Sequence, residues 1–478
     1  MQGKRSVGVL LPIFSLPNGY SVGSFGTAAY RFIDRLEEGG FRVWQTLPFT
    51  VTDPFYSPYA SPSSFSLNPL FIDLETLALD GLLTASEHSQ AREHTAVRCE
   101  YERLARERLP LLRRVAERAK DALPWEAFLR ERPYLAEYCR FAAIKARNEG
   151  APWWRFACHE PDLGVYEAYA CLSYIFFSQW QALHQYARAR EITVIGDLPI
   201  YVSHDSADVY FHPECFLLAP DGTPQAVAGV PPDYFSEDGQ LWGNPLYRWE
   251  RIQEDGFSFW RARIRHMLSL FDGVRLDHFR GFDTYFEIPY GASTAREGVW
   301  RQGPREALID ALREEARDTL LIAENLGESA PSVDDLLAYS GFPGMRVLSF
   351  GFDGDGGGHL PHEYPENTVA YSGTHDNDTL MGFLHNRSPE QARAVRAYAG
   401  VVDGEDKRVC LSLIEAMYAS AAELVIFPLQ DLLLLGSEAR INTPGRADGN
   451  WAFRFTREQL SSLDTAYFRR LAERYGRI

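Results

Sequence analysis

Eight short apolar, β-rich runs divide this chain: Val7–Phe14, Val43–Phe49, Thr193–Val202, Gly273–Phe279, Leu320–Leu326, Arg346–Phe352, Thr368–His375 and Leu424–Leu432. Amphipathic stretches lie between most of them, such as Ala28–Glu38 after the first run and Glu306–Asp318 between the fourth and fifth. Apolar strands alternating with helices describe a parallel sheet covered by its own crossovers. Eight βα units suggest closure, so the expected fold class is α/β, a (β/α)₈ TIM barrel whose site sits at the carboxyl ends of the strands. Residues 1–478 read as one catalytic barrel domain carrying two insertions, both too long for simple crossovers. The first, 76–190, reads as a helical subdomain. Its part Ser86–Ala122 is charged, its part Tyr134–Arg190 is rich in aromatics, and Trp153 and Trp154 are expected to pack against the barrel. The second, 203–260, is rich in Pro, Gly, Asp and aromatics and reads as loops over the strand ends.

Composition narrows the partners. With 45% hydrophobic residues the chain has ample material for a large core. Its 65 acidic against 48 basic residues leave a net charge of −17, which repels phosphate backbones and anionic lipid and suits neutral substrates. Nucleic-acid and membrane partners are therefore not expected. Cys99, Cys139, Cys158, Cys171, Cys215 and Cys410 form no C-x-x-C pair and no Cys/His cluster, so neither a zinc site nor a disulfide framework is readable. Reduced cysteines point to a cytoplasmic protein. The run Val7–Leu11 follows Lys4 and Arg5, as in a signal peptide, but Pro12 interrupts it, and it reads better as a buried strand.

The polar residues fall where such a barrel builds its site. The fourth run reads Gly273-Val274-Arg275-Leu276-Asp277-His278-Phe279, and the two-residue spacing of Arg275 and Asp277 sends both side chains to one face of a strand. Charges on an apolar strand carry a desolvation cost, and a structural ion pair at the barrel mouth accounts for this pair as well as a functional site does. The fifth run ends in Glu324-Asn325, the seventh in His375-Asp376-Asn377-Asp378, and the third carries Asp197. Several carboxylates from different strands at one rim are harder to attribute to stability. Two carboxylates across a scissile bond, one ionised and one protonated, are the machinery of glycoside cleavage. A divalent metal is the chief alternative use of such a cluster, and Arg275 beside Asp277 opposes it. The segments Asp53–Phe65 and Pro231–Pro245 are dense in aromatic and polar side chains, which suits sugars with apolar faces and hydroxyl edges. The prolines and glycines of the second suit an ordered loop or a lid.

At this level of detail the chain resembles the amylomaltases, glycoside hydrolase family 77 of the α-amylase superfamily. The resemblance rests on Trp44-Gln45 through Ser57-Pro58-Tyr59, Asn68–Asp73, Gly196–Tyr201, the Pro231–Pro245 loop, Phe271–Gly281 and Ile322–Gly327. It continues through Gly341–Met345, His359–His362, Gly373–Thr379, Asn442–Gly445 and Gly449–Trp451. It implies 4-α-glucanotransferase activity by a retaining double displacement, with Asp277 as nucleophile, Glu324 as acid/base and Asp376 as the third carboxylate. Asp197, Arg275 and His375 match residues around the bond being cut. Ser57, Tyr59, Gln240, Trp242 and Asn442 match the glucan-contacting motifs, and Tyr234 and Phe235 are expected to overhang the cleft. Asn325, also a candidate substrate-binding residue, stands where the family usually has Asp, which removes a charge beside the acid/base and bears on acceptor-side binding. The implied partners are an α-1,4-glucan donor and a maltooligosaccharide or glucose acceptor, with no cofactor and no metal. An α-amylase-type hydrolase using the same carboxylates and a catalytically silent glucan-binding protein are the remaining readings.

Overall fold

In the computed structural model, residues 5–92, 97–232, 237–327, 330–353, 356–446 and 448–478 are described. They contain twelve strands: β1 (Ser6–Leu10), β2 (Val43–Gln45), β3 (Thr193–Leu198), β4 (Ala226–Val230), β5 (Gln240–Pro245), β6 (Gly273–Leu276), β7 (Thr284–Pro289), β8 (Val299–Gln302), β9 (Leu320–Ala323), β10 (Gly344–Val347), β11 (Thr368–Tyr371) and β12 (Leu424–Pro428). Eight of these close into a parallel barrel in the order β1-β12-β11-β10-β9-β6-β3-β2, and each overlaps one of the eight apolar runs. The run at Val7–Leu11 is thus a barrel strand, hydrogen-bonded to β12 on one side and β2 on the other.

Strand alternation explains why both faces are apolar and where the polar residues point. Leu10, Val43, Ile195, Ile322, Val369, Tyr371, Leu424 and Ile426 form a cluster inside the barrel. Their chain neighbours Val9, Trp44, Val194, Leu321, Ala370, Val425 and Phe427 belong to the larger core under the helices. Successive side chains on a strand take opposite faces, so Asp197 follows Ile195 inward and Glu324 follows Ile322. Gly196 faces out, where a Cβ would lie 2.2 Å from the ring of Phe271. The glycine lets a crossover seat that ring directly against the sheet.

The apolar runs extend beyond the strands. After β1, β10 and β12 the chain turns into short helices at Ile13–Ser15, Leu348–Phe352 and Leu429–Leu432. Their residues stay mostly buried, so hydrophobicity does not mark where pairing stops. Amphipathic helices Thr27–Gly39 and Arg305–Ala316 stand close to where periodicity placed them. Between β2 and β3 the long helix Leu163–Arg188 is capped by Asp162, which accepts the N–H of Val165 at 3.0 Å. It lays Phe176 and Trp180 against Phe25, Phe49 and Phe271 on the barrel's outer wall. The indole N–H of Trp180 donates to Leu270 O at 2.8 Å.

The described part of the segment 203–260 includes strands as well as loops. It supplies β4 and β5 to a four-stranded antiparallel sheet in the order β5-β4-β7-β8, completed by residues after β6. No alternation betrays these strands, because β5 contains Gly243, Asn244 and Pro245 and exposes Leu241 and Trp242. Among the described residues no helix is long and apolar enough to cross a membrane.

Candidate active site

Parity and register bring the charged residues together at the carboxyl end of the barrel. The backbone pairing sets Asp197 of β3 opposite Arg275 of β6. Arg275 Nη1 donates to both oxygens of Asp197, at 2.8 and 2.9 Å, and to Asp277 Oδ1 at 2.9 Å. Arg275 and Asp197 are buried, whereas the side chain of Asp277 remains 28% exposed. The guanidinium is therefore covered from below by one carboxylate and presents the other to the opening. Burial pushes the Asp277 carboxyl up to about 7, against the pull of Arg275 and with help from Asp197 and Glu324.

Glu324 stands at the end of β9, the neighbour of β6. Its Oε2 accepts the backbone N–H of His278 and its Oε1 that of Leu326, each at 2.8 Å. Burial raises its carboxyl above the ordinary range, opposed by Arg275 and by these two donors. His278, the residue after Asp277, has φ +51°, an uncommon conformation for a residue with a side chain. That turn aims its N–H at the neighbouring strand end.

Above this floor opens a cleft of about 450 Å³, lined by Ser57, Tyr59, Gln240, Trp242, Asp277, His375, Asp376 and Asn442. Tyr59 donates its hydroxyl to Asp197 Oδ2 at 2.6 Å, and its ring stacks on His375 with centroids 5.1 Å apart and planes at 15°. Burial keeps His375 below the usual histidine range, hence neutral at pH 7. Asn442 donates its amide to Asp376 Oδ1 at 2.6 Å, and Arg440 holds the Asp376 carbonyl at 2.6 Å. Gln240 and Trp242 arrive on β5, and the indole N–H of Trp242 donates to Gln240 Oε1 at 3.1 Å.

Thus strands β3, β6 and β9 and the loop after β11 deliver Asp197, Arg275, Asp277, Glu324, His375 and Asp376 to one place. Asn325 is turned aside: its Oδ1 accepts the N–H of Met345 at 2.8 Å and ties the end of β9 to β10. Tyr234 and Phe235 lie outside the described residues. Of the tryptophan pair expected on the barrel, Trp153 packs, with its indole N–H on His204 O at 2.7 Å, but Trp154 stays 44% exposed. Among the described residues no group of three or more His, Cys, Asp or Glu is arranged to hold a metal ion.

Several contributors carried no assigned role in the sequence. Tyr201 and Trp451 line the cleft beside Tyr59, and both sit inside motifs already singled out. Asp431, buried after β12, accepts the Ser372 hydroxyl at 2.5 Å and the Leu380 N–H at 2.7 Å. It clasps both ends of the loop that presents His375 and Asp376. An acid after an apolar strand was the available signal.

The chain is similar to known proteins along nearly its whole length. The sequence model of glycoside hydrolase family 77, described as 4-alpha-glucanotransferase, matches residues 11–460. The chain is 41% identical to the 4-alpha-glucanotransferase of Thermus thermophilus, with both chains covered completely. It is 40% identical to that of a Synechocystis strain, over 100% of this chain and 99% of the relative. Among solved structures, the amylomaltase of Streptococcus agalactiae in complex with acarbose superposes with a TM-score of 0.94. The two are 35% identical, over 99% of this chain and 100% of the other.

Proposed function

The chain belongs to the glycoside hydrolase 77 family of 4-alpha-glucanotransferases, and from that premise we propose that Asp277 is its nucleophile, Glu324 its acid/base and Asp376 the holder of the donor sugar's hydroxyls. The enzyme is a 4-α-glucanotransferase built on a (β/α)₈ barrel. Its proposed donor is an α-1,4-glucan and its acceptor a maltooligosaccharide or glucose.

The observation that carries the assignment is the sharing of Arg275 between Asp197 and Asp277 beside Glu324 on the next strand. Arg275 is fixed by a carboxylate that never reaches the cleft, so it stabilises the ionised Asp277 without moving toward it. Asp277 attacks the anomeric carbon while Glu324 gives its proton to the leaving oxygen, which departs as the 4-hydroxyl of the shortened glucan. The result is a β-glucosyl ester on Asp277. An incoming 4-hydroxyl then loses its proton to Glu324 and attacks the same carbon, releasing Asp277 as carboxylate and restoring the α-linkage. Asp376 binds hydroxyls of the sugar being transferred, with Asn442 setting its orientation. Tyr59 and His375 form a stacked apolar wall, and Trp242 an exposed face, for the sugar rings.

The test is to load α-maltosyl fluoride onto a Glu324→Ala variant, digest it and locate the sugar adduct by mass spectrometry. The expected adduct lies on the peptide bearing Asp277. An adduct on another carboxylate would overturn the assignment.

A further inference from the structure

Trp154 is an exposed tryptophan stacked on His204, and the mechanism leaves it without a use. It sits in a short helical turn, Trp153–Arg155, of the insertion between β2 and β3. Its ring lies flat on His204, with centroids 4.3 Å apart and planes at 10°, and its edge meets Trp153 at 84°. His204 itself lines the cleft that holds Asp277. The exposed ring is therefore one stacked layer removed from the catalytic opening.

The platform is built rather than incidental. His204 Nε2 bonds to Gly222 O at 2.9 Å, and burial keeps the imidazole below the usual histidine range, so it is a neutral ring at pH 7. The carbonyl of His204 accepts the Trp153 indole N–H at 2.7 Å. Asp205 accepts the backbone N–H of Trp153 at 3.1 Å and pairs with Lys145. Gly222 has φ +84°, and a Cβ there would stand 2.4 Å from the ring of Trp153, so the loop comes as close as only glycine allows. All of this fixes one face of Trp154 and leaves the other to solvent. An isolated exposed aromatic needs no explanation. One whose rotamer is held by a stacked partner, at the edge of a carbohydrate cleft, has its ordering entropy already spent before a ligand arrives.

We propose that the free face of Trp154 is a distal subsite that stacks on a glucosyl unit of a long α-glucan chain leaving the cleft past His204. The proposal rests on the reading of the cleft as the glucan site and adds a length preference to it. A chain already held near Asp277 meets Trp154 intramolecularly, so a weak stacking contact gains from high effective concentration. Chains too short to reach past His204 gain nothing from it.

The experiment compares the full chain with its Trp154→Ala and Trp154→Tyr variants, measuring kcat/KM for transfer from maltotriose and from long-chain amylose. Melting temperature and oligomeric state are recorded alongside. Trp154→Ala is expected to lower the amylose-to-maltotriose ratio of kcat/KM about tenfold, mainly through KM on amylose. Tenfold corresponds to ~1.4 kcal/mol, which burial of roughly 50–60 Å² of apolar ring surface supplies. Trp154→Tyr keeps an aromatic face and is expected to retain most of the ratio. An unchanged ratio in Trp154→Ala, equal losses on both donors, or a Tyr variant as poor as Ala would overturn the subsite. A change of oligomeric state with no change in ratio would instead make the face a protein contact. Failure of the cleft reading is recognised separately, by a covalent adduct that does not form on Asp277.

Discussion

Glu324 Oε2 accepts the backbone N–H of His278 at 2.8 Å, and His278 directly follows Asp277 in the chain. The proposed acid/base is thus tied to the peptide that carries the nucleophile. Each Glu324 oxygen accepts one N–H donor and keeps a second lone-pair site for the proton that the proposed mechanism gives to the leaving oxygen.

The division of labour between the carboxylates is expected to show in the choice of donor. Asp277→Ala should abolish turnover of glucan and fluoride donors alike, because no other group can form the ester. Glu324→Ala loses acid assistance, typically worth about 10²–10⁴-fold, on glucan donors. It should keep much of its glycosylation rate on an α-glucosyl or α-maltosyl fluoride, whose leaving group needs little help. Azide, which attacks without a base, should then restore turnover. Equal inactivity on both donors without azide rescue would exclude Glu324 as acid/base.

Arg275 is expected to set the acid limb of the pH profile. As the proposed nucleophile Asp277 must be ionised to attack, and burial has already raised it to about 7. Replacing Arg275 with Met removes the cation that favours the carboxylate. The acid limb of kcat/KM should move to higher pH by about one to three units, the usual effect of a close opposite charge. A profile that loses amplitude without moving would show that Arg275 acts only on geometry.

Asn442→Ala should free the Asp376 carboxylate, which Asn442 holds at 2.6 Å. A hydrogen bond to a charged group contributes about 1.5–3 kcal/mol, so kcat/KM on maltotriose should fall by about 10- to 100-fold. Asn442→Asp, nearly the same in size but negatively charged against Asp376, should be no better. Full activity in either variant would separate Asn442 from the reaction.

Asp431 offers a test that separates stability from catalysis. Its carboxyl is pushed up to about 6 by burial, against the Ser372 hydroxyl and the Leu380 N–H. The folded protein therefore holds this proton more tightly than the unfolded chain, and Asp431 costs stability as pH rises from about 4 through 6. Asp431→Asn keeps an acceptor for Leu380 and should flatten that part of the melting-temperature profile. Asp431→Ala leaves the buried N–H of Leu380 unpaired, a loss of about 1–3 kcal/mol, and should lower both melting temperature and kcat by loosening His375 and Asp376. A wild-type profile already flat between pH 4 and 6 would contradict the raised carboxyl.

The barrel and its charged rim were legible in the linear chain because both obey short periods. Ile195 and Asp197, Arg275 and Asp277, Ile322 and Glu324 are each two residues apart, and that spacing assigns a face whatever the partner strand. The segments between the strands obey no such rule. The short helix Leu348–Phe352 and the strand Gln240–Pro245 are stabilised by their packing partners, so apolar residues continue past the one and turn residues mask the other. Asn325 stood out as a departure from the family pattern and Trp154 was expected to pack against the barrel, but only the folded chain turns Asn325 onto Met345 and lays Trp154 on His204. Register across strands and loops distant in sequence is set by tertiary packing. It alone brought Asp197 to Arg275, Tyr59 to His375 and Asp431 to both ends of the Asp376 loop.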